Sequence, residues 1–132
     1  MARTHQKVRY SPKSEHKDLT PTSAAKGVED ALKILEGRWK LVILFHLFGG
    51  KVLRFSELER AIPAVSQKML IQQLRQMEAD GIVRRIVHPQ VPPKVEYGLT
   101  KWGQALCPAL DALLKWAALR EKMSTIVERP RR

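Results

Sequence analysis

The feature that most constrains this chain is the run of residues 66–100, in which an amphipathic helical pattern passes directly into a two-stranded pattern. Ser66 is a good N-cap residue. Leu70, Leu74 and Met77 follow at i, i+4 and i+7, so one stripe of this helix is core. Asp80-Gly81 closes the pattern with the residue best able to take the left-handed conformation after a helix end. Residues 82–88 and 94–99 are rich in β-branched side chains. Pro89-Gln90-Val91-Pro92-Pro93 between them cannot extend a ladder, because proline lacks the backbone donor. The spacing therefore predicts a helix, a hairpin and a stiff loop within it.

A shorter helix is expected just upstream. Ser56-Glu57-Leu58-Glu59 has capping-box spacing, Leu58, Ala61 and Ile62 supply an apolar face, and Pro63 stops it. Pro63-Ala64-Val65 is then a tight turn between two helices. Helix, turn, helix and basic hairpin together make a winged helix-turn-helix: a mainly α fold with a small β-hairpin, built to meet DNA. The bland alternative, an α+β domain with solvated charges, does not explain why three elements fall in this one order.

Within that frame the polar face of the second helix supplies the candidate contacts. Ser66, Gln67, Lys68, Ile71, Gln72 and Arg75 lie near its start, where long donors and acceptors reach phosphates and base edges in a major groove. Arg54, Arg84, Gln90 and Lys94 join them from the hairpin side. Arg84 and Arg85 are adjacent on a strand, so only one can face DNA, and the other covers the domain with its stem.

The charge agrees with a polyanionic partner. Over 132 residues the formal net charge is +11, divided between the tails, at +6 in residues 1–25 and 120–132, and the central domain, at +5. This division gives a basic N-terminal arm over 1–22, a folded domain over 23–119 and a basic C-terminal tail over 120–132. The arm, with Pro12 and Pro21 and few apolar residues, is expected to be disordered or ordered only by a partner. A non-specific architectural DNA binder relying on these tails, or a protein-interaction module, are the competing readings.

Two helices are expected before the reading unit. Val28, Ala31, Leu32 and Leu35 form a stripe ending at Gly37, and residues 39–48 form a helix apolar nearly all round, stopped by Gly49-Gly50 and placed at the centre of the fold. Residues 51–55 add a small third strand. A last helix begins at Thr100, with Leu106, Leu110, Leu113, Leu114 and Ala117 spaced for burial and Pro108 bending it. The apolar surface of the first and last helices exceeds what one small domain covers. A homodimer through Val28, Leu32, Leu35, Leu106, Leu110, Leu113 and Trp116 is therefore expected. Trp39 reads as a core or interface anchor, and Trp102 as exposed.

Other chemistries find little support. The most apolar run, residues 41–48 with His46 inside it, falls far short of the roughly 20 residues that span a bilayer, and no secretory signal follows the first charges. A lone cysteine, Cys107, fits a reducing cytoplasm and reads as a small packing residue. His5, His16, His46 and His88 have no metal-ligand spacing; His46 reads as a core imidazole, and His88 as a solvated wing residue or phosphate contact. No phosphate loop, nucleophile elbow or paired carboxylates indicate an enzyme, a metal or a cofactor.

The residues also resemble a known family. Ile34-Leu35-Glu36-Gly37-Arg38-Trp39, Arg54-Phe55-Ser56-Glu57-Leu58, the 70–78 segment, Asp80-Gly81, Pro92-Pro93-Lys94-Val95-Glu96-Tyr97, Leu99-Thr100 and Gly103 are similar to the HxlR-type winged helix-turn-helix regulators, over about residues 26–118. The resemblance implies a bacterial, dimeric transcription regulator with MarR-like architecture, a double-stranded DNA partner, and room for a small-molecule effector of unidentified chemistry. Many members begin the first helix with a sensing Cys-Pro pair. Lys26 and Gly27 stand at those positions here.

Overall fold

The computed structural model describes residues 19–131, with side chains to residue 123. Most of the expected arm, including His5 and His16, lies outside the described residues. The chain divides into two units, residues 1–36 and 37–132.

The first unit contributes one helix, α1 (Pro21–Ile34). It starts two residues earlier than expected, because Thr20 and Ser23 cap each other. Thr20 Oγ1 accepts from the Ser23 N–H at 3.1 Å, and Ser23 Oγ accepts from the Thr20 N–H at 3.0 Å, with Pro21 in the first turn. None of its residues is buried, and Val28 and Leu32 are more than half exposed. Lys26 and Asp30 pair across one turn on its surface at 3.1 Å.

The second unit runs α2 (Lys40–Leu47), β1 (Leu53–Arg54), α3 (Phe55–Ala61), α4 (Gln67–Ala79), β2 (Val83–His88), β3 (Lys94–Leu99), α5 (Lys101–Gln104) and α6 (Leu106–Arg131). Its antiparallel sheet has the order β1-β3-β2, with Leu53 opposite Tyr97 and Arg85 opposite Tyr97 on the other side. The third strand is thus where the sequence places it. Ile43, Leu44 and Leu47 of α2 meet Leu58 of α3, Leu70, Leu74 and Met77 of α4, and Ile82 and Val83 in a core whose members are almost wholly removed from solvent.

Three sequence expectations are corrected here. The helix α2 is not surrounded: Leu41 and Phe45 are exposed, and Phe45 packs edge to face on Phe48 at 5.2 Å. The helix α3 is capped from Arg54 rather than Ser56, and Glu57 closes it by accepting the Arg54 N–H at 2.7 Å. The last helix is not bent but split. Ala105 ends α5, and Pro108 sits in the first turn of α6, where its missing N–H leaves no intrahelical bond unmade. The helix α6 then continues past residue 119, into the segment read as a tail.

The joint that links α4, the hairpin and α5 is tightly tied. Ser66 Oγ accepts from the Met69 N–H at 3.1 Å, and Gly81, at φ 80°, turns the chain out of α4. Thr100 then reaches back. Its N–H donates to the Ile82 carbonyl at 2.9 Å, its hydroxyl donates to the Gly81 carbonyl at 2.6 Å, and the same oxygen accepts from the Gly103 N–H at 3.0 Å. Gly103 lies against the Ile82 backbone with no room for a Cβ.

Candidate nucleic-acid interface

The helix α4 follows α3 through the turn at 63–65, in which the buried Val65 donates its N–H to the Ile62 carbonyl at 3.1 Å. With Leu70, Leu74 and Met77 turned into the core, the opposite side of α4 is left to solvent. Ser66, Gln67, Lys68, Gln72 and Arg75 are exposed and Ile71 is half-buried. A shallow groove runs along this face, lined by Lys68, Ile71, Gln72, Arg75, Gln76 and Ala79. Gln76, one turn beyond Gln72, is absent from the sequence expectation, although the helical period carries the same face to it. Gln73 turns the other way: its Oε1 is buried without a hydrogen-bond partner, and its amide lies 3.6 Å from Met69 Sδ.

The wing brings a second set of groups alongside. Gln90 is exposed at the loop and donates its N–H to the His88 carbonyl at 2.9 Å, and Val91 at the tip is almost completely bare. The next pair is less free than expected. Lys94 Nζ lies 3.6 Å from Glu96, and Glu96 Oε1 is 2.7 Å from His88 Nε2, so His88 keeps a partly exposed ring with its Nε2 engaged by Glu96. The hydrogen bond from His88, aided by the charge of Lys94 and opposed by partial burial, holds the Glu96 carboxyl below the usual glutamate range.

Alternation along β2 decides the arginine pair. Val83 and Arg85 share the sheet face that packs on α4, where Arg85 lines a cleft with Phe55, Ile71, Leu74, Arg75, Glu78 and Tyr97. Arg84 points to the other face, and its Nε donates to the Leu99 carbonyl at 3.3 Å. Arg54 sits at the end of β1, opposite Glu96 and exposed. The structure therefore brings Lys68, Ile71, Gln72 and Arg75 together along one groove, with Gln67 exposed at the start of the helix and Ser66 held in its cap. Arg84 lies on the opposite side of the sheet from α4, and Arg85 lies on its side.

The expected dimer residues divide by burial. Val28, Leu32, Leu113 and Trp116 are exposed, Leu35 and Leu106 are half-buried, and Leu110 is already buried within the chain, so it has little surface to offer a second copy. Trp102 is exposed, whereas Trp39 is half-buried beneath the Arg38 guanidinium, which stands 4.9 Å from its ring centre. Cys107 is half-buried in the first turn of α6. Among the described residues no group of side chains could hold a metal ion, and no helix is long and apolar enough to cross a membrane.

Comparison with known proteins gives a consistent picture. Residues 34–124 match the model of the HxlR-like helix-turn-helix family. The chain is 55% identical over 91 residues to YtcD of Bacillus subtilis, an HTH-type transcriptional regulator, covering 69% of this chain and 71% of that one. Among solved structures, the redox regulator HypR in its reduced form is similar at 42% identity and a TM-score of 0.66, covering 75% of this chain and 98% of that one. A MarR-family transcriptional regulator from Enterococcus faecalis is similar at 36% identity and a TM-score of 0.75, covering 82% of this chain and 97% of that one.

Proposed function

The chain belongs to the HxlR-like helix-turn-helix family, and from that premise we propose that it is a homodimeric repressor binding an inverted-repeat operator. That it is a DNA-binding transcription regulator follows from the family; the dimer, the operator symmetry and the sign of regulation are our reading. In this reading each subunit sets the exposed face of α4 in the major groove and lays the wing on the flanking backbone. The observation that carries it is the division of α4. Its three apolar anchors are fully buried, while Gln67, Lys68, Gln72 and Arg75 are all left exposed on the helix that follows the tight turn.

The parts of the face have different work. Gln67 and Gln72 offer paired donor and acceptor groups suited to adenine edges, and Lys68 and Arg75 supply charge for phosphate or guanine. Ser66 is spent on its helix cap, so its contribution is to hold the N-terminal turn rigid rather than to reach outward. Gln90, Arg54 and Lys94 serve the backbone, Lys94 with its charge shared with Glu96. Regulation is assigned to a small-molecule effector in the cytoplasm. Oxidant sensing is not assigned, because Lys26 and Gly27 occupy the positions of the sensing pair.

Selection of binding sites by the full chain from a pool of random duplexes tests this. The expected product is an inverted repeat with half-site centres about one helical turn, or a multiple of it, apart. A pool bound without enrichment of any sequence would indicate the architectural alternative. Weak, salt-insensitive retention would indicate a protein-interaction module.

A further inference from the structure

We infer that the cleft between α4 and the sheet, flanked by Arg75 and Arg85, seats one phosphodiester of the bound duplex. The inference rests on the reading of α4 as the groove-entering helix and adds a residue, Arg85, that this reading does not require. Its floor is made by Phe55, Ile71, Leu74 and Tyr97, and Glu78 stands at its margin.

Position is the first argument. One wall of the cleft is the reading helix and the other is the strand that leads into the wing, so a DNA strand running from one element to the other passes over its mouth. Charge is the second. Both guanidiniums are exposed, and among the described residues neither has a hydrogen-bond or ion-pair partner. With Glu78 included, the cleft carries a net charge of +1. That matches the single negative charge of a backbone phosphodiester and disfavours the more highly charged free or terminal phosphate, which Glu78 would repel.

The floor is the third argument. Leu74 is fully buried and Phe55, Ile71 and Tyr97 are partly so, which keeps the two guanidiniums beside apolar surface where their attraction for an anion is less screened than in open water. Two planar forks lining one cleft also suit phosphate better than two ammonium groups would. Arg84 provides an internal control: it has the same charge and is adjacent in sequence, but it lies on the opposite face with its Nε held by the Leu99 carbonyl.

The test is the salt dependence of affinity for a selected duplex, measured for the wild type, Arg85→Ala, Arg85→Lys and Arg84→Ala. The thermal midpoint of each variant is measured as a check on folding. Arg85→Ala, which removes one contact in each half-site, should weaken binding to every sequence alike, by about tenfold per half-site, and reduce the slope of log affinity against log salt by about 0.9 per half-site, about 1.8 for the dimer. Arg85→Lys should keep the slope while losing part of the affinity, and Arg84→Ala should change neither. A duplex with one methylphosphonate in each half-site, placed where the strand leaves α4, should bind wild type and Arg85→Ala equally. An unchanged slope in Arg85→Ala, or equal losses in Arg84→Ala and Arg85→Ala, overturns the inference and leaves the regulator reading standing. Failure of the wild type to bind any duplex in a salt-dependent way overturns both.

Discussion

Gly103→Ala should destabilise the second unit by about 3 kcal/mol or more, a larger loss than most single substitutions produce. The added methyl would overlap the Ile82 carbonyl oxygen and crowd the carbonyl carbon and Cγ2 of the same residue. These are poor atoms to displace. Ile82 is fully buried, and its carbonyl accepts the Thr100 N–H that ties the end of the hairpin to the end of α4. Relief of the overlap must therefore move either α5 or the turn after α4, and each is held by the Thr100 hydrogen bonds. Gly27→Ala is the matched control, since a Cβ there meets nothing within 4 Å on an exposed helix. It should be neutral or stabilise by up to about 1 kcal/mol. Urea unfolding followed by circular dichroism separates the two, and a Gly103→Ala midpoint equal to that of the wild type would show that the joint accommodates a methyl group and contradict the prediction.

On the proposed homodimer, Trp116→Asp should leave a monomer and lower the affinity for a two-half-site operator by about 10² to 10⁴-fold. Trp116 is 70% exposed, and Leu113, Leu119 and Met123 are exposed on α6 at helical spacings from it. Exposed apolar residues occurring singly are ordinary, but a row of large ones along one helix is the mark of an interaction surface. The loss comes from linkage rather than from DNA contact. Two half-sites bound by one dimer profit from a high effective concentration, and separate monomers do not. Binding to a single half-site should accordingly be unchanged. Sedimentation velocity of the free protein, with titration of one-site and two-site duplexes, checks both parts. A variant that still sediments as a dimer, or a monomer with full two-site affinity, would remove these residues from the interface.

Much of the reading unit is legible in the sequence because its signals are local. Ser66, the i, i+4, i+7 stripe and Asp80-Gly81 act within a few residues of themselves, and the helix they mark runs where they place it. The proline-rich loop and the β-branched runs mark the hairpin for the same reason. The features that escape depend on atoms brought together from a distance. Alternation shows that Arg84 and Arg85 face opposite ways, but which of them faces α4 depends on how β2 docks through Val83. The split between α5 and α6 turns on where Pro108 falls relative to a helix start, and periodicity alone cannot distinguish a bent helix from two helices. Leu110 shows the same limit: the stripe identifies it as apolar, whereas its burial within the chain is a property of packing. The pairing of His88 with Glu96 crosses between two strands on a diagonal, so each looks free when taken in its own segment.

The central claim is that the exposed face of α4 reads base edges, and its most direct test is the base-by-base preference of Gln72→Ala against that of the wild type on the selected operator. The account predicts a loss of about 1 to 3 kcal/mol of discrimination at one position in each half-site, with preferences elsewhere intact. An equal weakening on every sequence, with the wild-type preference kept at all positions, would contradict it.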